Sequence, residues 1–303
     1  MSDADGMSAS SEIQAARPRL VLAPLRGVTI RSFRRVFVDV LRDADFTEAV
    51  LPFIPANAGL DPLKDRELAH GAGAEDLLET PQFIGKDPAE LKRCLERVRG
   101  AGYATADLNA GCPFPMVRNK GRGSGLLRSA DTLARMLEAG CATMGAGRFS
   151  LKARLGVEKP DELLQLMPLI NQFPLRRLTV HARTARQMDA GTPEHTAYAA
   201  NAAVATVPIA YNGDVEFPLA ASAPADEVMV GRGFVRHLAL RADIDERLDA
   251  YIRVSAEELC GERPVIGRIK ELLAYWKELP RWRRRWPVAK LATSLAELRL
   301  AVR

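Results

Sequence analysis

Short apolar runs recur along most of the chain, each followed by a longer stretch of helical periodicity. Eight of these runs stand at 19–25, 46–50, 81–85, 105–111, 148–154, 176–182, 208–214 and 227–233. Strands alternating with helical segments predict βαβ units and a parallel sheet. Eight units between residues 18 and 237 predict an α/β fold, a closed (β/α)8 TIM barrel. The intervening helices carry their own signals. Asp87-Pro88 predicts a cap and a first helical residue, with Leu91, Leu95 and Val98 on one face before Gly100. Ser129 or Asp131 is placed to cap the next, which carries Leu133, Met136 and Leu137. The stretch 51–80 is irregular and predicts mostly loop. After Arg236 no strand pattern returns. Segments 238–259, 266–279 and 287–302 read as three helices, a small helical domain over 238–303. The first 17 residues are small and polar with no apolar core, which predicts a disordered tail rather than a signal peptide.

Composition narrows the class. Of 303 residues, 47% are hydrophobic and 27% charged, ordinary for a soluble domain. No apolar run approaches the roughly 20 residues of a membrane helix, so a cytoplasmic protein without a membrane partner is expected. Cysteines at 94, 112, 141 and 260 form no C-x-x-C pair and have no histidine at ligand spacing. Neither a disulfide framework nor a metal site is predicted. The net charge of +5 is unevenly spread. Residues 263–303 hold eleven Lys/Arg against three Asp/Glu, or +8, so the preceding 262 residues sum to −3. Such asymmetry predicts an anionic partner, nucleic acid ahead of membrane, the alternative being a solvated helical face.

Polar residues gather at the predicted C-terminal strand ends, where barrel enzymes build their sites. Alternate strand residues share a face, so Lys152 projects with Arg154, His181 with Arg183, and Asn212 with Asp214. Asn212-Gly213-Asp214 and Gly231-Arg232-Gly233 follow strands seven and eight. That place, with glycines for close approach and one arginine, suits a phosphate-bearing cofactor; two tight turns are the alternative. No segment completes G-x-G-x-x-G, so a dinucleotide-binding fold is not supported.

Several ordered motifs point to one family. Asp107-Leu108-Asn109-Ala110-Gly111-Cys112-Pro113, Val117, and then 120–127 with Gly121, Gly123, Ser124 and Gly125 resemble the signature of tRNA-dihydrouridine synthases. So do Ala23-Pro24, Lys152-Ala153-Arg154, His181-Ala182-Arg183-Thr184 with Gln187 and Gly191, and the two phosphate-type turns. The resemblance covers about residues 19–234 and, more loosely, the terminal helices. It implies FMN in the barrel mouth and NADPH as reductant. Pro24, Leu25, Arg26, Gln82 and Asn109 would then line the flavin, and Lys152 and His181 would contact it. Asn212, Gly213, Asp214, Gly231 and Arg232 would hold its phosphate end. A fixed cation such as Lys152 favours the negative charge of reduced flavin. The alternatives are an ion pair between Lys152 and a mouth acid such as Glu48, and a hydrogen-bonded core histidine at 181.

In the implied reaction a hydride passes to C6 of a uracil and an acid protonates C5. Cys112 takes that second role, since a thiol with pKa of about 8.5 stays protonated near neutrality. The partner implied is tRNA, met by Arg154 and Arg183 in the mouth and by Arg268, Lys270, Arg283, Arg284 and Arg285 in the tail. Trp282 and Trp286 are candidate stacking surfaces. A monomer is expected. Departures from the family pattern are Pro24-Leu25-Arg26, Thr29-Ile30 and Pro193-Glu194-His195. Gly267-Arg268-Ile269-Lys270 with Tyr275-Trp276 resembles the bacterial C-type subgroup, which modifies position 16 of the D-loop. The rival readings are a dihydroorotate dehydrogenase-like flavoprotein and a non-catalytic RNA-binding barrel.

Overall fold

The computed structural model describes residues 17–57, 59–68, 77–219 and 225–302. The anticipated N-terminal tail, apart from Arg17, lies outside the described residues. Every strand pairing is parallel. Arg19–Leu22 pairs with Phe46–Val50 on one side and Glu227–Val230 on the other. From the last strand the order runs back through Ile209–Asn212, Arg177–Thr184, Phe149–Gly156 and Ala106–Ala110 to Gln82–Ile84. Leu78–Thr80 meanwhile pairs with the second strand. Leu78–Thr80 and Gln82–Ile84 are one strand divided at Pro81, which has no N–H to give the ladder. Its carbonyl still accepts the Asp107 N–H at 2.9 Å. With Leu78–Thr80 and Gln82–Ile84 counted as one strand and Ile54–Pro55 a two-residue addition beside Gln82–Ile84, the sheet closes as a barrel of eight principal strands. Among the described residues the stretch 51–80 holds the two-residue strand Ile54–Pro55 and a short turn at Pro62–Lys64 before Leu78–Thr80, and is otherwise loop, as its irregular sequence predicts.

The helix caps follow the sequence. Asp87 accepts from the Ala89 and Glu90 N–H groups, and Pro88 opens the helix Pro88–Gly100. Ser129, not Asp131, caps Ala130–Met144 through the Thr132 N–H. At the N-terminal end of the barrel, buried Arg177 bonds Glu48 at 2.8 and 3.0 Å and Glu227 at 2.5 Å. Burial alone would raise the Glu48 carboxyl, but Arg177 and Arg176 outweigh it and bring it down to about 2. Glu48 thus closes the barrel floor and is not the mouth acid considered for Lys152.

The terminal helices depart from expectation. The segment 238–259 is not one helix but the end of Arg232–Leu238 followed by Ile244–Glu258. The latter belongs to the barrel's outer ring. Tyr251 meets Phe33 edge-on at 6.4 Å, and Arg247 binds Asp39 through two bonds of 2.8 and 2.6 Å. A boundary at 237/238 therefore cuts through the packing. Glu262–Ala274, Pro280–Leu291 and Leu295–Val302 follow. The helix expected to begin at Pro287 begins at Pro280, the proline that occupies its first turn, and Pro287 is interior. Trp276 and Trp282 pack with ring centroids 4.7 Å apart, tilted by 50°, in a core shared with the first and last barrel strands. The helical extension is thus built onto the barrel through common apolar packing.

Candidate active site

The C-terminal strand ends converge on a cleft of about 950 Å³. Pro24, Leu25 and Arg26 form one wall, Asn109 and Cys112 another, and Lys152, Arg154 and His181 the floor. Asn212, Gly213, Asp214, Gly231 and Arg232 close the far end. Of the expected mouth and cofactor residues, the structure brings together all but Gln82 and Arg183.

Gln82 is fully buried below the cleft. Its Nε2 donates to Asp107 Oδ1 at 2.8 Å, and its Oε1 accepts from Asn109 Nδ2 at 2.8 Å. Asn109 Oδ1 in turn accepts the Gly111 and Cys112 N–H groups at 3.1 and 2.9 Å. A carboxylate can only accept, so Asp107 fixes which way both amides point. The chain ends on the backbone of the cysteine. From the other side, the Cys112 carbonyl accepts the Ser124 N–H at 3.1 Å and the Ser124 hydroxyl at 2.9 Å. Gly123 has φ +57°, and a Cβ there would lie 2.8 Å from the Cys112 Cβ. That approach requires glycine at position 123.

Burial pushes the Cys112 thiol up, against smaller pulls from the Phe114 backbone N–H, Arg154 and Arg26, so it is protonated at neutral pH. Lys152 donates to Asn212 Oδ1 at 2.9 Å, while Asn212 Nδ2 is spent on the Met229 carbonyl. Burial first, then Arg154, brings Lys152 down to about 8. His181 is held well below its usual value by burial and by Arg154, Lys152, Arg183 and Arg232. His181 Nε2 lies 3.4 Å from Arg183 Nη1, so a neutral imidazole sits among four cations in a field that favours an anion. Asp107 lies beneath, raised to about 6 by burial, and its Oδ2 has no partner among the described residues. At the far end Arg183 and Arg232 both bond Asp214. Gly233 lets the helix Arg232–Leu238 sit on Val215, whose carbonyl would be 2.0 Å from a Cβ there.

Several substrate assignments change. Arg183 is fully buried, its guanidinium spent on the Ala190 and Gly191 carbonyls and Asp214. It shapes the loop and presents nothing to RNA. Arg154 borders the cleft but is 4% exposed and tied to the Gly111, Thr184 and Met188 carbonyls and Asp189. Arg268 bonds Glu258 and Ser32, and Lys270 bonds the Ala292 carbonyl at 2.7 Å; both brace the helical extension. Arg285 is pinned on Asp245 at 3.2 Å and lies over the Trp282 ring. Arg283 and Arg284 are exposed. Trp282 is buried and Trp286 packs against the same core, so Trp282 offers no stacking face.

Among the lining residues that sequence reasoning missed are Phe53, Phe114, Asp189, Glu271 and Tyr275. Glu271 and Tyr275 reach the mouth from the helical extension, one turn apart. Gly27 (φ +79°) accommodates Glu271, whose carboxylate would be 1.9 Å from a Cβ there. The spacing of 271 and 275 was the available signal. Arg26 lies over the Phe53 ring at 5.4 Å. Among the described residues no group of three or more His, Cys, Asp or Glu could hold a metal, and no helix is long and apolar enough to cross a membrane.

The dihydrouridine synthase (Dus) family model matches residues 21–260, and with them the whole cysteine loop and both terminal turns. The chain belongs to the dihydrouridine synthase family. Its sequence is 28% identical over 263 residues to tRNA-dihydrouridine synthase B of Pseudomonas aeruginosa, covering 86% of this chain and 77% of that one. It is 31% identical over 323 residues to the tRNA-dihydrouridine(16) synthase of Cupriavidus necator, covering 94% and 92%. In fold it is similar to morphinone reductase, with a TM-score of 0.52 at 10% identity over 72% of this chain and 84% of that one. The old yellow enzyme homologue of Zymomonas mobilis has a TM-score of 0.51 at 13% identity, covering 72% and 85%. The match to the synthase model ends at residue 260, after the helix Ile244–Glu258, in keeping with that helix completing the barrel ring.

Proposed function

We propose that this dihydrouridine synthase acts in the cytoplasm on tRNA, with FMN seated in the barrel mouth and NADPH as reductant. The cleft fits such a cofactor. Lys152 and Arg232 are cations set for an anion, Gly213 and Gly231 allow close approach, and one cleft is lined by both Cys112 and Arg232. FMN, when bound, supplies the hydride that reduces the uracil at C6. Lys152, held by Asn212, would supply positive charge to the flavin ring. His181, neutral, offers one hydrogen bond without adding charge. Arg232, shared with Asp214, would hold the phosphate end.

Cys112 is the proton donor at C5. An ordinary thiol is already protonated near neutrality and burial raises this one further, and it needs no base because it gives a proton rather than attacks. Asp107, Gln82 and Asn109 hold its backbone from beneath, and Ser124 from the side. One observation carries the reading: a cysteine whose backbone is held by a chain of one-way hydrogen bonds lines the same cleft as Lys152, Arg154 and His181. The target assigned is uridine 16, because the relative named for that position aligns with 94% of the chain, terminal helices included. A dihydroorotate-type enzyme has no need of Glu271 and Tyr275 reaching the mouth from a basic helical extension.

The test separates two half-reactions. C112A should bind FMN and be reduced by NADPH as wild type is, yet form dihydrouridine roughly 10²–10⁴-fold more slowly. A C112A enzyme with wild-type yield would remove Cys112 from the proton transfer.

A further inference from the structure

The loop after Cys112 carries a feature that the proposed chemistry leaves unused. Phe114 is 55% exposed and Met116 is 76% exposed. Phe114 also borders the cleft, two residues from the proposed acid. Its backbone is stiff. Pro113 and Pro115 flank it, and proline fixes its own φ and restricts the residue before it. The Phe114 carbonyl accepts the Val117 and Arg118 N–H groups, both at 2.9 Å. The turn Pro115–Arg118 is then clamped from behind, since a Cβ at Gly125 would lie 2.3 Å from the Arg118 carbonyl oxygen. Because Ser124 is bonded to the Cys112 carbonyl, the whole rim is held in fixed relation to the thiol. The aromatic ring therefore stands in water on a rigid mount beside the mouth.

Its neighbours are cations. Arg118, Lys120 and Arg122 follow within eight residues, and no acidic residue occurs from 108 to 130. Lys86 lies alongside, its Cδ 3.5 Å from a Cβ placed at Gly121. No carboxylate partners any of the four among the described residues, and Arg118 Nε and Arg122 Nε are buried without a hydrogen-bond acceptor. An exposed phenylalanine alone needs no explanation. Here it is paired with unneutralised positive charge at the entrance through which a nucleotide must pass.

We propose that this rim is a second RNA contact, distinct from the terminal helices. In it Phe114 stacks on a base flanking the target uridine, and Arg118, Lys120 and Arg122 take the adjoining phosphates. The proposal rests on the tRNA reading above. Drawing a uracil out of a folded loop strips its neighbour of one stacking face. A rigid ring at the mouth replaces that face, and rigidity keeps the ordering cost small. Sequence-independent stacking on an aromatic, with cations tracking the backbone, is how single-stranded nucleic acid is commonly held.

The test measures the affinity of holoenzyme for tRNA lacking dihydrouridine, over a series of salt concentrations. F114A should weaken binding about 5- to 150-fold, the range for losing one stacked base, without changing the salt slope. F114W should restore affinity and F114L should not, which separates stacking from simple apolar contact. The combined variant R118A/K120A/R122A should weaken binding and flatten the log–log slope by about 0.7 for each lost single-strand contact. Thermal melting of each variant controls for folding, and F114L serves if F114A fails to fold. Wild-type affinity matched by F114A overturns the rim alone. Wild-type holoenzyme with no measurable tRNA affinity overturns both the rim and the tRNA reading. A fall in NADPH reduction of F114A as large as its fall in tRNA affinity would place the ring on the cofactor side and overturn the proposal as well.

Discussion

The one-way bonding beneath Cys112 can be broken and rebuilt at a single residue. Gln82 is the link, with one bond of 2.8 Å to Asp107 and another of 2.8 Å to Asn109. Q82M keeps the volume and removes both. Asp107 Oδ1 and Asn109 Nδ2 are then buried without partners. Each orphan costs about 1–3 kcal/mol, so stability should fall by about 2–6 kcal/mol. Asn109 also becomes free to turn, and a turned amide presents Nδ2 to the Gly111 and Cys112 N–H groups. Dihydrouridine formation should fall while reduction by NADPH holds. The exchange Q82E/D107N restores the pattern. The carboxylate introduced at position 82 would be the acceptor-only group in the middle. It would take one N–H from the amide introduced at position 107 and another from Asn109 Nδ2, with the total charge unchanged. Denaturant unfolding and single-turnover dihydrouridine assays should show Q82M impaired and the double variant recovered. A Q82M within ~0.5 kcal/mol of wild type, or a double variant no better than Q82M, would refute the reasoning.

Three further outcomes follow from the site and the extension. Lys152 is brought down to about 8 from its usual value near 10.5, so its burial opposes folding below pH 8 and ceases to matter once both states are neutral. K152M apoprotein should therefore melt higher than wild type at pH 7, with the gain shrinking as pH rises from 8 towards 10.5, while reduction of its FMN slows; a constant or rising gain would contradict this. R232A should weaken FMN by the loss of a charge-assisted phosphate contact, about 1.5–3 kcal/mol by calorimetry. In the extension, R283A/R284A should flatten the salt dependence of tRNA binding by up to ~0.9 per lost phosphate contact. R285A, pinned on Asp245, should instead lower the melting temperature with the slope unchanged.

The barrel was legible because its signals are local. Alternating runs, Asp87-Pro88 and Ser129 each specify their element without help from afar. The strand at 81–85 reads short because Pro81 splits it, and only pairing with strands on both sides shows Leu78–Thr80 to be the same strand. Charge in the mouth was legible as residue type but not as role. Arg183 and Arg154 sit at strand ends as expected, yet their guanidiniums turn to loop carbonyls that a sequence does not display. The same holds for Gln82, whose burial follows from the broken strand. The terminal region was least legible. Its tryptophans and several of its cations are spent on packing against the barrel, and the pairs Arg268–Glu258 and Arg285–Asp245 join residues 10 and 40 apart. Glu271 and Tyr275 enter the cleft only because those contacts bring their helix to the mouth.

The most direct measurement is a single turnover. Wild-type and C112A holoenzymes, each with FMN reduced by NADPH, are mixed with tRNA lacking dihydrouridine, and the product is located and counted by mass spectrometry. The account predicts up to one dihydrouridine per reduced flavin, at position 16, in the wild type. It predicts a rate roughly 10²–10⁴-fold lower in C112A. A wild-type enzyme that forms no dihydrouridine would contradict the function assigned, and C112A forming it at the wild-type rate would contradict the mechanism.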